Sequence, residues 1–420
     1  MVWASQMRKG SDIRNGGIHK MQVTRCWSVV VGCALLFAVP SFAQVTNGKK
    51  PNLPAPFETK SAGNGPNKDK PPAGFLPKVP SGFQVSVYAS DFSNPRFLAV
   101  APNGDIFVGE TGAGKIIILR DPQHGGGTPQ KEEFAEKLNR PFGIAFHDDY
   151  VYVGNTGEVV RFRYDKQTSK RTGEAEHILD VPKGGGHFTR TLAFSQDGTK
   201  LYISVGSSSN LDFEKDARRA AVLVSDPDGK NSRIFASGLR NAVGLAIEPV
   251  TGEVWVTVNE RDELGDNLPP DYFTSVKDGG FYGWPYSYIG DNVDPRVKPQ
   301  RPDLVAKAII PDVLLGPHVA PLQFAFYTGK QFPALYHGGA FIAEHGSWNR
   351  STRNGYQLAF VAFKNGKAAE DPVPFLTGFV PDPKGKDVDG RPVGVAVAPD
   401  GSLMVSDDGA SVIYRISYGK

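Results

Sequence analysis

The chain has 420 residues, with 47 Lys and Arg against 44 Asp and Glu, a formal charge of +3. An apolar fraction of 40% with 22% charged residues excludes a disordered or collagen-like chain, and so small a positive surplus gives no ground for a nucleic-acid partner. The 48 Gly and 33 Pro favour many short strands and turns over long helices.

Residues 1–43 read as a secretory signal. Lys20 and Arg25 precede an apolar run from Trp27 to Val39, and Ser41-Phe42-Ala43 supplies a small-x-small cleavage site. Met21 offers a second start, which makes 1–20 a possible upstream extension. The run falls short of the roughly 20 residues a membrane span needs, so the expectation is an exported protein, periplasmic or secreted and not membrane-spanning. Cleavage after Ala43 removes five basic side chains, one acidic one and both cysteines, Cys26 and Cys33. That leaves 42 basic against 43 acidic groups. A mature chain without cysteine excludes thiol catalysis, a c-type haem and thiolate-bound zinc. Residues 44–80, rich in Pro, Gly, Asn and Lys and lacking apolar periodicity, read as a tail or linker, and 81–420 as the functional domain.

That domain is organised by six imperfect repeats. An apolar-Ala-apolar strand, a polar turn and an alternating second strand recur at Phe97-Leu98-Ala99-Val100, Gly143-Ile144-Ala145-Phe146, Thr191-Leu192-Ala193-Phe194, Gly244-Leu245-Ala246-Ile247, Leu322-Gln323-Phe324-Ala325 and Gly394-Val395-Ala396-Val397. The alanine anchors are spaced 46, 48, 53, 79 and 71 residues apart. Strand–turn–strand units near that period are the mark of propeller blades, and Asn/Asp-Gly pairs supply the tight hairpins between them. The predicted fold is all-β, a six-bladed β-propeller with insertions before the fifth and sixth anchors.

In a propeller, function sits on loops at one end of the channel. His187, in Gly184-Gly185-Gly186-His187-Phe188-Thr189-Arg190, is placed either as a proton acceptor or as a surface-loop residue. Arg240, beside Asn241 ahead of the fourth anchor, suits a carboxylate clamp or an inter-blade ion pair. The oxygen-rich run Asn259 to Asn267, with Arg261 and Asp262, suits a hard cation or plain solvation. Gly280-Phe281-Tyr282-Gly283-Trp284-Pro285 offers aromatic surface for a ligand or for the core. Glu344 to Arg350 and Arg391 occupy the same loop positions in the last two repeats.

Taken together, His187 to Leu192, Gly238 to Asn241, Asn259 to Asp262, Gly280 to Pro285 and Gly390 to Gly394 resemble the glucose/sorbosone dehydrogenase family, whose members are soluble six-bladed propellers dependent on pyrroloquinoline quinone (PQQ). The resemblance spans roughly residues 80–418, and Glu344-His345-Gly346-Ser347-Trp348-Asn349-Arg350 is more similar to its sorbosone dehydrogenase-like branch. It implies a sugar dehydrogenase in which His187 is the catalytic base, with Arg190 in a positioning role beside it. It also implies cofactor contacts from Arg240, Asn241, Trp348, Arg350 and Arg391, and calcium held by backbone carbonyls of Arg261 and Asp262. The substrate would be an aldose or sorbosone-like sugar, and electrons would pass to a separate soluble or membrane acceptor, since the chain has no haem motif. Gly206-Ser207-Ser208-Ser209-Asn210 stands where the glucose enzymes place an acidic residue behind the histidine. A calcium-dependent lactonase-like hydrolase and a non-enzymatic glycan-binding propeller are the alternative readings.

Overall fold

Each alanine anchor lies on the first strand of an antiparallel sheet, and the first strands of the six sheets touch in ring order. The computed structural model describes residues 43–67, 69–121 and 127–419; apart from Ala43 itself, the segment read as a signal falls outside them. Blades 1 to 6 begin with Pro95–Val100, Ile144–His147, Leu192–Phe194, Ala242–Ile247, Pro321–Phe326 and Pro392–Val397. Three more strands follow in blades 1, 2, 3 and 5. Blade 6 borrows its outermost strand, Phe83–Ala89, from the start of the domain, pairing it with Val412–Tyr418 and so closing the ring. Blade 4 carries a fifth strand, Ala43–Val45, beside Val313–Pro317. The long spacing after the fourth anchor is an excursion inside blade 4, between Pro270–Val276 and Val313–Pro317, holding a small hairpin and the helix Pro302–Val305.

The Gly-apolar-Ala wording of the repeats has a packing cause. A hydroxyl on a blade's second strand accepts from the glycine amide of its own first strand and donates to the next blade's first strand. Thr257 does so between Gly244 N (2.8 Å) and Leu322 O (2.6 Å), and Ser406 between Gly394 N (2.8 Å) and Arg96 O (2.5 Å). The backbones approach so closely that a Cβ on Gly394 would stand 2.2 Å from Arg96 O. Deep in the channel, Gln323 of blade 5 reaches blade 1, accepting from Leu98 N (3.0 Å) and donating to Leu98 O (2.7 Å). Between blades, apolar faces are sealed by clusters such as Phe97, Phe107, Phe142, Ile144 and Phe162, the main favourable term in folding.

The described residues of 46–80 hold no strand or helix, yet they are fastened across the loops of blades 4, 5 and 6. Phe57 N donates to Leu264 O (2.7 Å), Asn64 N to Trp348 O (2.6 Å), Asn67 N to Lys386 O (2.8 Å) and Lys78 N to Thr377 O (2.7 Å). Thr59 Oγ1 accepts from Asp266 N at 2.9 Å. The segment is a strap over one face of the ring.

One buried carboxyl in blade 5 makes a testable statement about pH. Glu344 is 1% exposed and accepts from Gln357 Nε2 at 2.8 Å, and burial pushes its pKa from 4.5 up to about 8. The folded chain therefore keeps a proton that the unfolded chain releases above pH 4.5, so stability falls as pH rises through that window. Denaturant melts of Glu344→Gln should show a gain of roughly 1–3 kcal/mol at pH 8 and almost none at pH 4; an equal gain at both would mean that ionisation is not the cause.

Candidate active site

The loops after the second strands and before the first strands surround a cavity of about 210 Å³ at the strap-covered face. His187, Arg240, Asn241, Glu260, Asp262, Asp271, His318 and Trp348 are among the residues lining it. His187 is brought there by its glycine-rich approach. Gly206 lets it meet Asn241, because a Cβ at 206 would lie 2.3 Å from Asn241 Oδ1 and 2.6 Å from His187 Cβ. His187 Nδ1 is 2.9 Å from Ser207 O and 3.0 Å from Ser207 Oγ. A carbonyl only accepts, so Nδ1 carries the proton and Nε2 keeps its lone pair. Burial, followed by the positive charge of Arg240, lowers the imidazole pKa to about 3, so the ring is neutral at physiological pH. The loop that lacks a carboxylate thus supports the histidine with a backbone carbonyl.

The guanidinium of Arg240 is fully engaged. Nε donates to Asn210 O (3.1 Å), Nη1 to Asn259 O (3.2 Å) and Glu260 O (2.6 Å), and Nη2 to Asn210 Oδ1 (2.9 Å) and Asp262 Oδ2 (3.2 Å). A guanidinium has five N–H groups, and here all five are used. Arg240 contributes charge to the cavity but has no free fork for a carboxylate. Asn241 Oδ1 and Glu260 Oε1, in contrast, are buried without a partner, the state of atoms that await a donor or a cation.

Of the other expected residues, Arg190, Arg350 and Arg391 face elsewhere and Trp348 faces the cavity. Arg190 is 0% exposed; it donates to Pro182 O (2.6 Å), Thr189 O (2.6 Å) and His187 O (3.2 Å) and fixes the backbone beneath the histidine. Arg350 braces the neighbouring loop through Asp266 O (3.2 Å), Asn267 Oδ1 (2.8 Å) and Thr352 O (2.7 Å). Arg391 reaches His345 O and Gly346 O at 3.2 and 3.3 Å, beside the cavity and not in its wall. Trp348 lines the mouth, 53% exposed, with its carbonyl held by the strap.

The Arg261–Asp262 stretch, expected to hold calcium through its backbone carbonyls, is set among arginine contacts. The Arg261 side chain is buried and turned outward to Glu260 Oε2 (2.9 Å), Asp294 Oδ2 (3.2 Å), Pro285 O and Ser287 O. Asp262 O already accepts from the Arg296 guanidinium at 2.8 Å, a cation where a second cation was expected. Among the described residues, no three His, Cys, Asp or Glu side chains gather as a metal-binding group.

Two cavity residues gave no sequence signal. Asp271 accepts from Glu260 N (2.7 Å) and Ala320 N (2.8 Å), tying blades 4 and 5 together, and burial pushes its pKa up to about 8. His318 donates from Nε2 to Gly265 O (3.1 Å), and its Nδ1 accepts from Asn349 Nδ2 (3.1 Å). His318 and Ala320 sit at φ +59° and +52°, left-handed conformations that cost free energy in residues other than glycine. Such strain at a cavity wall is held in place by Asp271.

Comparisons with known proteins agree with this architecture. A family model described as TrAA12-like matches residues 77–270 and 301–419. A pyrroloquinoline quinone-dependent pyranose dehydrogenase of Coprinopsis cinerea is 25% identical over 330 residues, covering 67% of this chain and 44% of that protein, so the chain spans less than half of that relative. An uncharacterized protein of Borreliella burgdorferi is 29% identical over 357 residues, 82% of this chain and 91% of that one. The calcium structure of a Trichoderma reesei AA12 enzyme superposes with a TM-score of 0.71 at 22% identity, covering 82% of this chain and 97% of that chain. The holo PQQ domain of the Coprinopsis enzyme does so at 0.71 and 22%, covering 84% and 99%; these two likenesses carry the fold. The strap before residue 77 and residues 271–300 lie outside the family match.

Proposed function

The chain belongs to the TrAA12-like family, and from that membership we propose that it is a PQQ-dependent oxidoreductase acting on an aldose, pyranose or sorbosone-like sugar. The observation that supports this reading best is His187, neutral, with a free Nε2 beside the cavity and next to the unpartnered Asn241 Oδ1. The orphaned oxygen suits an N–H or O–H donor of the ligand, and the buried charge of Arg240 suits an anionic cofactor through its field rather than through a free hydrogen bond. PQQ, when bound, supplies the two-electron acceptor for the hydride of the sugar C1. His187 Nε2 takes the proton of the C1 hydroxyl, and Ser207 O fixes the ring that receives it. Asn241 Oδ1 accepts a hydrogen bond from bound ligand, and the exposed indole of Trp348 offers a flat apolar face to a sugar ring. The product of a cyclic aldose is the lactone, and its electrons leave to a separate acceptor. We place the enzyme outside the cytoplasm, on the strength of the 1–43 signal reading; among the described residues no helix is long and apolar enough to cross a membrane.

The test is to add PQQ to purified protein, with and without calcium, and follow dye reduction over aldoses, pyranoses and sorbosone. Uptake of PQQ with sugar-dependent reduction is the expected result; absence of PQQ uptake under both conditions would falsify the reading. The carboxyl groups of Glu260, Asp262 and Asp271 around the cavity favour a second reading, a lactonase-like hydrolase. Lactone hydrolysis that requires calcium and ignores PQQ would establish that alternative.

A further inference from the structure

The strap presents one inward-facing side chain to the rim of the cavity. Among the described residues between Thr46 and Pro77, Asn64 alone is buried, at 7% exposure, while Gly63 and Gly65 on either side of it are exposed. Every polar group of Asn64 is spent on that rim. Its N–H donates to Trp348 O (2.6 Å), and its carbonyl accepts from Arg353 Nη1 (2.9 Å). Its Nδ2 donates to Ser351 O (3.3 Å), and its Oδ1 accepts from Lys386 Nζ (3.0 Å). Burying an amide costs free energy unless it is fully bonded, and here it is.

The neighbours of Trp348 are fixed by other means. Ser347 N donates to Asn354 O (2.9 Å) and Ser347 Oγ accepts from Asn354 N (3.0 Å). Asn349 Nδ2 reaches Asp262 Oδ1 (2.5 Å) and His318 Nδ1 (3.1 Å), and Arg350 is spent on Asp266, Asn267 and Thr352. Each is tied within its own loop or to loops of the ring. Trp348 is not. Among the described residues its one hydrogen bond comes from Asn64 N, while its side chain stands 53% exposed at the mouth. A ring already held in place binds a flat ligand face without first giving up its own freedom. What fixes the Trp348 backbone therefore acts on affinity. The strap before residue 77 lies outside the family match, so this tie is an addition to the shared blades.

We propose that Asn64 is a positioning residue for the cavity: from the strap it sets Trp348 as the wall against which a sugar ring packs. It governs sugar affinity and leaves the transfer step to His187. The sugar part rests on the dehydrogenase reading above; the hold on Trp348 does not.

Two measurements on the full chain test it. Without cofactor or sugar, the emission anisotropy of Trp348 is taken as the difference between each protein and the same protein carrying Trp348→Phe. That subtracts the other tryptophans, of which Trp255 and Trp284 are buried. Asn64→Ala should lower this anisotropy, and Lys386→Ala, which removes an exposed partner of the same amide, should lower it less. Lys60→Ala, at an exposed strap residue without a hydrogen bond or ion pair, should leave it unchanged. With PQQ and the sugar that wild type oxidises fastest, Asn64→Ala should raise KM about fivefold or more while kcat changes less than about twofold, the pattern of lost uniform binding. A melting curve checks folding; should Asn64→Ala not fold, Lys386→Ala carries both readouts. Unchanged anisotropy or unchanged KM overturns the proposal, and so does a kcat that falls as far as kcat/KM. If wild type oxidises no sugar, the dehydrogenase reading falls and the sugar role of Trp348 with it, while the anisotropy decides the hold of Asn64 on Trp348 by itself.

Discussion

In a His187→Ala variant, sugar-dependent reduction should fall by about 10³-fold while the Kd for PQQ changes less than about threefold. General bases contribute on the order of 10²–10⁴ to rate, and His187 has a lone pair at Nε2 and no ligand-holding charge. The two readouts separate the roles. A large loss of PQQ binding would make His187 a cofactor contact, and unchanged turnover would remove it from the chemistry altogether. The pH profile carries the same argument. Burial and Arg240 both oppose protonation, lowering the imidazole to about 3 in the free protein. A bound anionic ligand in the cavity would offset part of that positive field and move the value upward. The active form is the neutral ring, so activity should be lost only as pH falls below the ordinary histidine value of about 6.5, with a plateau through neutrality. An acid limb centred at or above 6.5 would assign the titration to another group.

Gly394→Ala should destabilise the ring by about 3 kcal/mol or more, read as a shift in the denaturant midpoint. The new Cβ would stand 2.2 Å from Arg96 O and 2.6 Å from Ser406 Oγ. The first of these is backbone, which cannot swing aside. Overpacking of this kind costs about 1–3 kcal/mol when side chains alone must yield, and here the Ser406 bridge between blades 6 and 1 is lost too, worth about 1 kcal/mol more. Gly63→Ala is the control: no atom lies within 4 Å of the place its Cβ would take, and its φ is ordinary, so its effect should stay within about 0.5 kcal/mol. Equal midpoints for the two variants would show that the blades are not locked at Gly394.

The six blades were legible because their repeat is a consequence of this packing. A small alanine among apolar neighbours recurs in all six first strands, with a glycine ahead of it in blades 2, 4 and 6, as at Gly244-Leu245-Ala246 and Gly394-Val395-Ala396, and such wording survives irregular spacing. His187 and Asn241 were legible for a related reason, since their loops are fixed in register by the anchors they precede. The partners of the arginines were not legible. Arg240 meets Asn210, 30 residues away, and Arg261 meets Asp294, 33 residues away, and only the closed ring decides which acceptor each guanidinium finds. The strap left no periodic signal, because its fastenings are largely backbone amides and carbonyls, which every sequence possesses.

That strap has a mechanical consequence. It begins on the outer edge of blade 4 as Ala43–Val45 and ends on the outer edge of blade 6 as Phe83–Ala89, with blade 5 lying beneath it. It acts as a belt buckled at both ends. A single tryptic cut after the exposed Lys60 would sever the covalent chain without opening either buckle. The nicked protein should then elute as one intact particle and release its N-terminal peptide only in denaturant.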